Sequence, residues 1–202
     1  MKSDIPIVKD LVLVGGGHSH VAVLKKFGMK PLPGVRITLI TRDVHTPYSG
    51  MLPGYIAGHY DFDETHIDLR PLAMFAGARI YHDEAISIDH ASNKVICRNR
   101  PPVAFDILSV NIGSTPNMTT PGADDFVTPV KPINNFVTRW QGLFERVHEA
   151  TDNVNIGGVG AGAGGVEVLL AIEHRLRSDF AAVGRSSEHI KFHLFTDADD
   201  IL

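Results

Sequence analysis

The 202-residue sequence contains one cysteine, one tryptophan and no long apolar run. Because Cys97 stands alone, the chain forms no internal disulfide, no CxxC redox pair and no cysteine-rich zinc site, so any redox chemistry requires a bound cofactor. No stretch reaches about 18 consecutive apolar residues, and the segment from Met1 to Val14 lacks the apolar core of a signal peptide. We therefore expect a cytoplasmic protein.

The sequence also lacks a large charge of either sign. Nineteen Lys and Arg residues stand against 23 Asp and Glu residues, a formal net charge of −4, which argues against nucleic acid as a partner. A hydrophobic content of 44% and a charged content of 21% are typical of a folded globular protein. The length allows one domain or one and a half.

Glycine, in contrast, is abundant and concentrated in two turns. Each turn follows a predicted strand, precedes a predicted helix and leads to a second strand, which is the order of a parallel βαβ unit. The predicted fold class is therefore α/β, with two Rossmann-like dinucleotide-binding βαβ units. The first has its strands at Leu11–Val14 and Val35–Ile40; the second has strands at Val154–Ile156 and Ile190–Phe195 around a helix at Val166–Leu176.

The segments between the two units predict additions to the first. The range 44–72 is expected to be a cofactor-covering loop with a short helix, and the range 78–97 an inserted β-meander of three short strands. A buried strand at 105–112 and an amphipathic helix at 136–150, with Trp140 in the core, complete residues 1–150 as the first domain. Residues 151–202 begin a second domain that is incomplete, because one βαβ unit cannot bury both faces of a sheet. A longer protein or a second copy of the chain, in a homo-oligomer, is expected to complete it.

The second turn matches the G-x-G-x-x-G pattern at Gly160, Gly162 and Gly165. Gly160 allows the tight turn, Gly162 lets the backbone approach a pyrophosphate, and Gly165 permits close packing of the helix, whose N-terminus stabilises phosphate charge. A Gly/Ala-rich turn that only packs tightly is the alternative.

The first turn matches that pattern at Gly15 and Gly17, while His20 replaces the third glycine. Ser19 and the backbone N–H groups from His18 to His20 are suitable phosphate donors at the helix start. His18 and His20 also form an H-x-H pair, but no neighbouring carboxylate or cysteine completes a ligand set. We predict no metal site.

The strand that follows the first turn lacks the carboxylate that usually binds the adenosine ribose. Thr41 stands at that position, so either Asp43 replaces the acid or Thr41 and Arg42 bind the ribose. In the second unit the strand runs into Asp197 with no basic residue nearby, which favours NADH over NADPH.

Together these motifs resemble the pyridine nucleotide-disulfide oxidoreductase superfamily of FAD-dependent reductases, along the whole chain. The segment from Phe105 to Pro116 is similar to a family motif ending in Ala-Thr-Gly-Ser-x-Pro, with Asn111-Ile112 in place of Ala-Thr. The glycine turn and the segment from Thr46 to Gly54 resemble the branch of type II NADH dehydrogenases and sulfide:quinone reductases. Within that branch, the sequence is most similar to reductase-like proteins fused to selenide, water dikinase.

The resemblance implies FAD at the first turn, NAD(P)H at the second, and hydride transfer from NAD(P)H through flavin to a quinone-like or other small-molecule acceptor. Because the cysteine pair of the disulfide reductases is missing, no redox disulfide takes part. The resemblance further implies the cofactor-binding residues Gly113, Ser114, Ala85 at the adenine, Tyr48 and Ser49 at the flavin edge, and Glu167 in the NAD(P)H unit. A capped surface turn is the alternative for Tyr48 and Ser49. No catalytic residue is assigned.

A longer protein of this branch is expected to bind peripherally to a membrane. A selenophosphate synthetase, fused or docked, is the expected protein partner. The alternative function is a non-catalytic nucleotide-binding module that senses redox state or docks that synthetase. His20, the missing acid at Thr41 and the scarcity of cysteine motivate this alternative.

Overall fold

A computed structural model describes residues 6–202 of the chain. The strands are β1 (Lys9–Val14), β2 (Val35–Thr41), β3 (His45–Pro47), β4 (His66–Asp68), β5 (Arg79–His82), β6 (Ala85–Asp89), β7 (Lys94–Cys97), β8 (Val103–Ala104), β9 (Ile107–Val110), β10 (Val154–Val159) and β11 (Ile190–Phe195). The helices are α1 (His18–Met29), α2 (Leu52–Ala57), α3 (Phe62–Thr65), α4 (Leu69–Phe75), α5 (Ala123–Phe126), α6 (Ile133–Glu149) and α7 (Ala163–Ala182), with a 3-10 turn at Ser49–Met51.

The chain divides into two compact units. Unit 1 contains the residues up to Thr46 together with His66–Ser114, and unit 2 contains Pro47–Thr65 together with Thr115–Leu202. These packing units differ from the ranges 1–150 and 151–202 expected from the motifs. The reason is that α2 and α6 contribute buried side chains to the same apolar core as α7 and β10, in unit 2.

Unit 1 is built on a four-stranded parallel sheet with the order β5-β2-β1-β9. The strand pair β1 and β2 is in register from Lys9 opposite Val35 to Val14 opposite Ile40, as the first βαβ motif predicts. Residues 78–81 were expected to open the meander, and this expectation is wrong. β5 pairs in parallel with β2, where Thr38 lies opposite Arg79, so it extends the main sheet.

The meander itself consists of β6, β7 and β8, which pair antiparallel. Its third strand, β8, has only two residues and was not predicted, because so short a strand has no periodicity to detect. The meander packs on one face of the parallel sheet through Val95 and Cys97, which are buried together with Val12, Val14 and Ile40.

The range 44–72 is not a loop with one short helix. It contains the 3-10 turn, α2, α3 and the start of α4, each too short to show an apolar period along the sequence. The helix α4 begins where the Asp68 carboxylate accepts a hydrogen bond from the backbone N–H of Arg70 at 2.9 Å, an N-cap. The Arg70 guanidinium also holds the pKa of Asp68 down at about 2.

Unit 2 contains the second βαβ unit. β10 pairs in parallel with β11, from Val154 opposite Ile190 to Val159 opposite Phe195. Trp140 is 7% exposed in α6 and lies in the core, as its helical spacing predicts. The α/β class with two parallel βαβ units is thus confirmed. Among residues 6–202, no helix is both long enough and apolar enough to cross a membrane.

Candidate functional site

The first glycine turn connects β1 to α1 through a backbone that only glycine fits. Gly15 has a φ of +91°, and its N–H donates to the carbonyl of Ile40 at 2.8 Å. A Cβ atom at Gly15 would lie 2.2 Å from the carbonyl oxygen of Asn111, and one at Gly17 would lie 2.4 Å from the Asn111 side-chain oxygen. Both glycines therefore serve close packing at the end of the sheet.

Asn111 closes this turn from the neighbouring strand, a role that the sequence did not predict. Its N–H donates to the Val14 carbonyl at 2.8 Å, and its carbonyl accepts from the Gly17 N–H at 3.3 Å. In the sequence, Asn111-Ile112 stands in place of the Ala-Thr of the family motif. The structure shows that the Asn111 side chain fills the space over Gly17, and the departure from the family motif was the only signal for it.

The two glycine turns share one backbone construction. The N–H of His20 donates to the Gly17 carbonyl at 2.9 Å, and the N–H of Gly165 donates to the Gly162 carbonyl, also at 2.9 Å. Likewise, the Gly160 N–H donates to the Phe195 carbonyl at the end of β11, and the Gly15 N–H donates to the Ile40 carbonyl near the end of β2. Position 20 therefore corresponds to the third glycine of the second turn, as the motif alignment predicts.

His20 is a buried structural residue. The residue is 1% exposed. Its Nδ1 lies 2.6 Å from the Gly15 carbonyl oxygen, and its Nε2 lies 2.9 Å from the Ser109 hydroxyl. Because a carbonyl only accepts, Nδ1 carries the proton and Nε2 accepts from Ser109. Both ring nitrogens are thus engaged within unit 1, so the His20 side chain is neither a metal ligand nor a phosphate donor, and its N–H is used inside the turn.

Burial lowers the pKa of His20, and the bond to the Gly15 carbonyl opposes this only in part. A folded-state pKa below the unfolded value means that the unfolded chain binds more protons in acid. The stabilisation by neutral His20 is therefore complete above the unfolded pKa of about 6.5 and is lost as the pH falls through the folded pKa.

As the pH is lowered from 7.5, we expect the free energy of unfolding to fall more steeply in the wild type than in His20→Gln. The reason is that the glutamine amide does not titrate. Urea titrations of both proteins across this pH range measure the two slopes. The other ten histidines are present in both proteins. Parallel slopes would contradict the role assigned to His20.

A crevice is expected where the sheet order of unit 1 reverses. β1 has β2 on one side and β9 on the other, and ligands of open α/β sheets bind outside the carboxyl ends of the strands at such a position. The residues at this edge include His18 and Ser19, both exposed at the start of α1, and Gly113 and Ser114, both exposed after β9. Gly113 has a φ of +78°, and nothing lies within 4 Å of a Cβ atom built there. The structure thus brings these four predicted residues to one edge.

Thr41, Arg42 and Asp43 follow β2 at the same edge. Thr41 is buried and its hydroxyl donates to the Asp43 carbonyl at 2.8 Å. Arg42 is exposed, and its guanidinium lies 3.5 Å from the Asp43 carboxylate. Of the two ways to bind a ribose that the sequence leaves open, Asp43 in place of the usual acid is the more accessible one, because the Thr41 hydroxyl is buried and already bonded.

Ala85, Tyr48 and Ser49 lie in different surroundings. Ala85 begins β6 opposite Cys97 in the antiparallel ladder of unit 1, next to an irregularity in the register. Tyr48 and Ser49 belong to unit 2, where both are exposed, and the Tyr48 N–H donates to the Thr65 carbonyl at 2.9 Å. The turn at Ser49 is thus ordered by backbone bonds, and the Tyr48 ring is 51% exposed.

The second glycine turn connects β10 to α7. Gly160 has a φ of +96°, and a Cβ atom at Gly165 would lie 2.2 Å from the Gly160 carbonyl oxygen. At Gly162 and Gly164, in contrast, a Cβ atom would meet nothing within 4 Å. The close approach predicted for Gly165 and the open space predicted for Gly162 are therefore both present.

Glu167 and Asp197 flank this second turn. Because α7 begins at Ala163, the exposed Glu167 lies beyond the first turn of the helix and is too far along it to stabilise the helix dipole. Asp197 is exposed, and lies just beyond the end of β11.

The fold resembles that of solved oxidoreductases. The reduced Bacillus anthracis CoADR-RHD matches 96% of this chain with a TM-score of 0.76 and 16% identity. NDH2 from Plasmodium falciparum in complex with NADH matches 92% with a TM-score of 0.72 and 14% identity. The sulfide:quinone oxidoreductase from Aquifex aeolicus matches 94% with a TM-score of 0.68 and 19% identity. The predicted resemblance is therefore confirmed for the fold.

The chain spans only part of each of these proteins, namely 34% of the CoADR-RHD chain, 41% of the NDH2 chain and 43% of the sulfide:quinone oxidoreductase chain. No protein-family model and no curated protein sequence matches it.

Proposed function

We propose that this chain provides the two nucleotide-binding units of an FAD-dependent NAD(P)H oxidoreductase. The observation that carries the proposal is the pair of βαβ units, each with a glycine turn that a Cβ atom would disrupt, in a fold similar to that of NDH2 and sulfide:quinone oxidoreductase. As in the sequence-based assignment, FAD binds in the range 1–150 and NAD(P)H in the range 151–202.

The residues at the edge of unit 1 suit FAD. The start of α1 offers a helix N-terminus to a pyrophosphate, with Ser19 exposed beside it. The Asn111 side chain, which lies over Gly17, moves aside in this proposal to admit the pyrophosphate. The open space over Gly113 admits a ligand close to the backbone of the neighbouring strand. In this proposal Asp43, with Arg42 beside it, binds the ribose in place of the usual acid, and the backbone of Ala85 faces the adenine.

The second turn suits NAD(P)H. The empty space over Gly162 and Gly164 lets a pyrophosphate reach the N-terminus of α7, a 20-residue helix. Asp197 and the absence of a basic residue beside it favour a free ribose hydroxyl over a 2′-phosphate, so NADH is the proposed donor. Glu167 is also proposed to contact NAD(P)H.

When bound, flavin supplies the hydride-accepting chemistry, and the protein contributes binding, orientation and electrostatics. Cys97 takes no part, because it is 6% exposed and burial, the largest effect, raises the pKa of its thiol. Tyr48 and Ser49 are proposed to offer hydrogen bonds at the flavin edge.

The electron acceptor in this proposal is a small molecule of the quinone type. The names of the similar structures, which include a sulfide:quinone oxidoreductase and an NADH:rubredoxin oxidoreductase, support acceptors of quinone or electron-carrier type in this fold. Peripheral membrane association, a selenophosphate synthetase partner and homo-oligomerisation are further proposals, which rest on the sequence resemblance.

We expect the purified chain, reconstituted with FAD, to show the flavin absorption bands and to lose them when NADH is added anaerobically. In Gly162→Val the added Cβ atom has no neighbour within 4 Å, and the side chain occupies the pyrophosphate approach. This variant should therefore keep the flavin bands and the fold, yet no longer bleach with NADH. Absorbance spectra of both proteins measure the effect.

Three other outcomes would count against this function. Bands that persist with NADH in the wild type would leave a flavoprotein without a working nicotinamide site. Equal bleaching in Gly162→Val would move NADH binding away from the second turn. No bands after reconstitution would favour the non-catalytic nucleotide-binding module.

A further inference from the structure

A solvent-open cavity of about 400 Å³ lies in unit 1, between the parallel sheet and the segment 100–104, which ends in β8. We name it the arginine cavity after three of its lining residues, Arg36 of β2, Arg79 of β5 and Arg100. Asp10 of β1 and Tyr81 of β5 also line it. Its volume is within the range of sites for small molecules.

The arginine cavity lies toward the opposite end of the strands from the first glycine turn. Asp10 pairs with Arg36 near the start of β1 and β2, whereas Gly15 follows the last residue of β1. At about 3.3 Å per residue, Asp10 and Val14 are roughly 13 Å apart. A ligand in this cavity would therefore not occupy the crevice assigned to FAD.

Two of the three guanidinium groups are held in place. Arg36 donates to both carboxylate oxygens of Asp10, with Nη2 at 2.7 Å from Oδ2. The Arg100 guanidinium lies over the Tyr81 ring at 3.8 Å from the ring centre, and its Nε is 3.6 Å from the carboxylate of the buried Asp83. Guanidinium groups fixed in this way lose little conformational entropy when they bind a ligand.

Arg79 is the third group, and its charge is not compensated. It is exposed and makes no ion pair with any residue in the described range 6–202. Asp10 is the acidic residue among the lining residues, and Asp83 pairs with Arg100 from outside the lining. Three guanidinium groups and two carboxylates leave one positive charge at the cavity, and that charge is on Arg79.

We propose that the arginine cavity binds a small organic anion that carries phosphate or carboxylate groups. Guanidinium groups bind both kinds of oxyanion with two parallel hydrogen bonds. Arg79 contributes the uncompensated charge, while Arg36 and Arg100 provide preorganised donors. This site does not depend on the function proposed above.

Isothermal titration calorimetry with pyrophosphate and, separately, citrate tests the site in the full chain. We expect each Kd to rise at least about tenfold in Arg79→Gln, since hydrogen bonds to a charged group are lost. Arg79→Lys keeps the charge without the fork of donors and should show a smaller rise. Arg139→Gln is the matched control, because Arg139 is an exposed arginine on α6 outside the cavity lining.

Tighter binding of pyrophosphate would assign the ligand to phosphates, and tighter binding of citrate would assign it to carboxylates. Two results would overturn the proposal. One is that neither probe binds to the wild type. The other is equal affinity in Arg79→Gln and Arg139→Gln, because the anion would then bind elsewhere, such as at a glycine turn. If circular dichroism shows Arg79→Gln to be unfolded, Arg79→Lys decides, and an unchanged Kd in it overturns the proposal. The flavin spectrum of each variant separates this result from the proposed oxidoreductase function.

Discussion

Gly15→Ala should lower the free energy of unfolding by roughly 3 kcal/mol or more and abolish flavin binding. One part of this cost arises because alanine at a φ of +91° is strained. The other arises because its Cβ would lie 2.2 Å from a backbone oxygen, that of Asn111, which a rotamer change cannot move. Urea denaturation followed by circular dichroism measures the stability, and the absorbance spectrum after reconstitution with FAD measures binding.

Gly77→Ala is the matched control for this substitution. Gly77 also belongs to unit 1 and has a φ of +65°, but nothing lies within 4 Å of a Cβ atom there. Gly77→Ala should lower the free energy of unfolding by only about 1 kcal/mol, which is the contribution of backbone strain alone. Equal losses in Gly15→Ala and Gly77→Ala would show that the contact with Asn111 is not what requires glycine at position 15.

Gly165→Ala should have an effect of similar size in unit 2. Its Cβ would lie 2.2 Å from the Gly160 carbonyl oxygen, so α7 has to move away from the turn. We expect a loss of roughly 3 kcal/mol in the free energy of unfolding and loss of NADH binding, because α7 carries side chains of the main core of unit 2. Trp140 is the single tryptophan and lies in that core, so its fluorescence during urea denaturation reports on this unit.

The neighbouring Gly164→Ala is the control. A Cβ atom at Gly164 would meet nothing within 4 Å, and Gly164 is already inside α7. Since alanine favours a helix over glycine, its stability should be unchanged or higher by up to about 1 kcal/mol. A loss of stability in Gly164→Ala as large as that in Gly165→Ala would mean that the turn tolerates no side chain at either position, and that the Gly160 carbonyl is not the specific obstacle.

The first turn shows how a histidine occupies a glycine position. In the second turn, a Cβ at position 165 collides with the Gly160 carbonyl; in the first, His20 occupies the corresponding place and its ring nitrogen bonds to the Gly15 carbonyl at 2.6 Å. His20, whose presence suggested a degenerate motif, therefore makes a specific hydrogen bond in a buried site. It preserves the backbone pattern of the turn, since the bond from position 20 to the Gly17 carbonyl remains.

The sequence alone determined the features that depend on neighbouring residues. The strand, glycine turn and helix order of both βαβ units is local, because glycine removes the steric barrier to positive φ and apolar residues recur with the period of the element they form. The same local signals predicted Gly15 and Gly160 as turn residues and Trp140 as core, and the structure agrees at all three.

Features that depend on residues far apart in the chain emerge only in the folded molecule. β5 was expected in the meander because a short strand does not encode its partner, and its pairing with β2 emerges only in the assembled sheet. In the same way, the contact between Asn111 and the first turn joins the residue after β9 to the turn after β1, two strands far apart in the chain. The arginine cavity collects guanidinium groups from β2, β5 and the segment before β8. Their convergence on one face is set by strand register, which no local pattern of the sequence specifies.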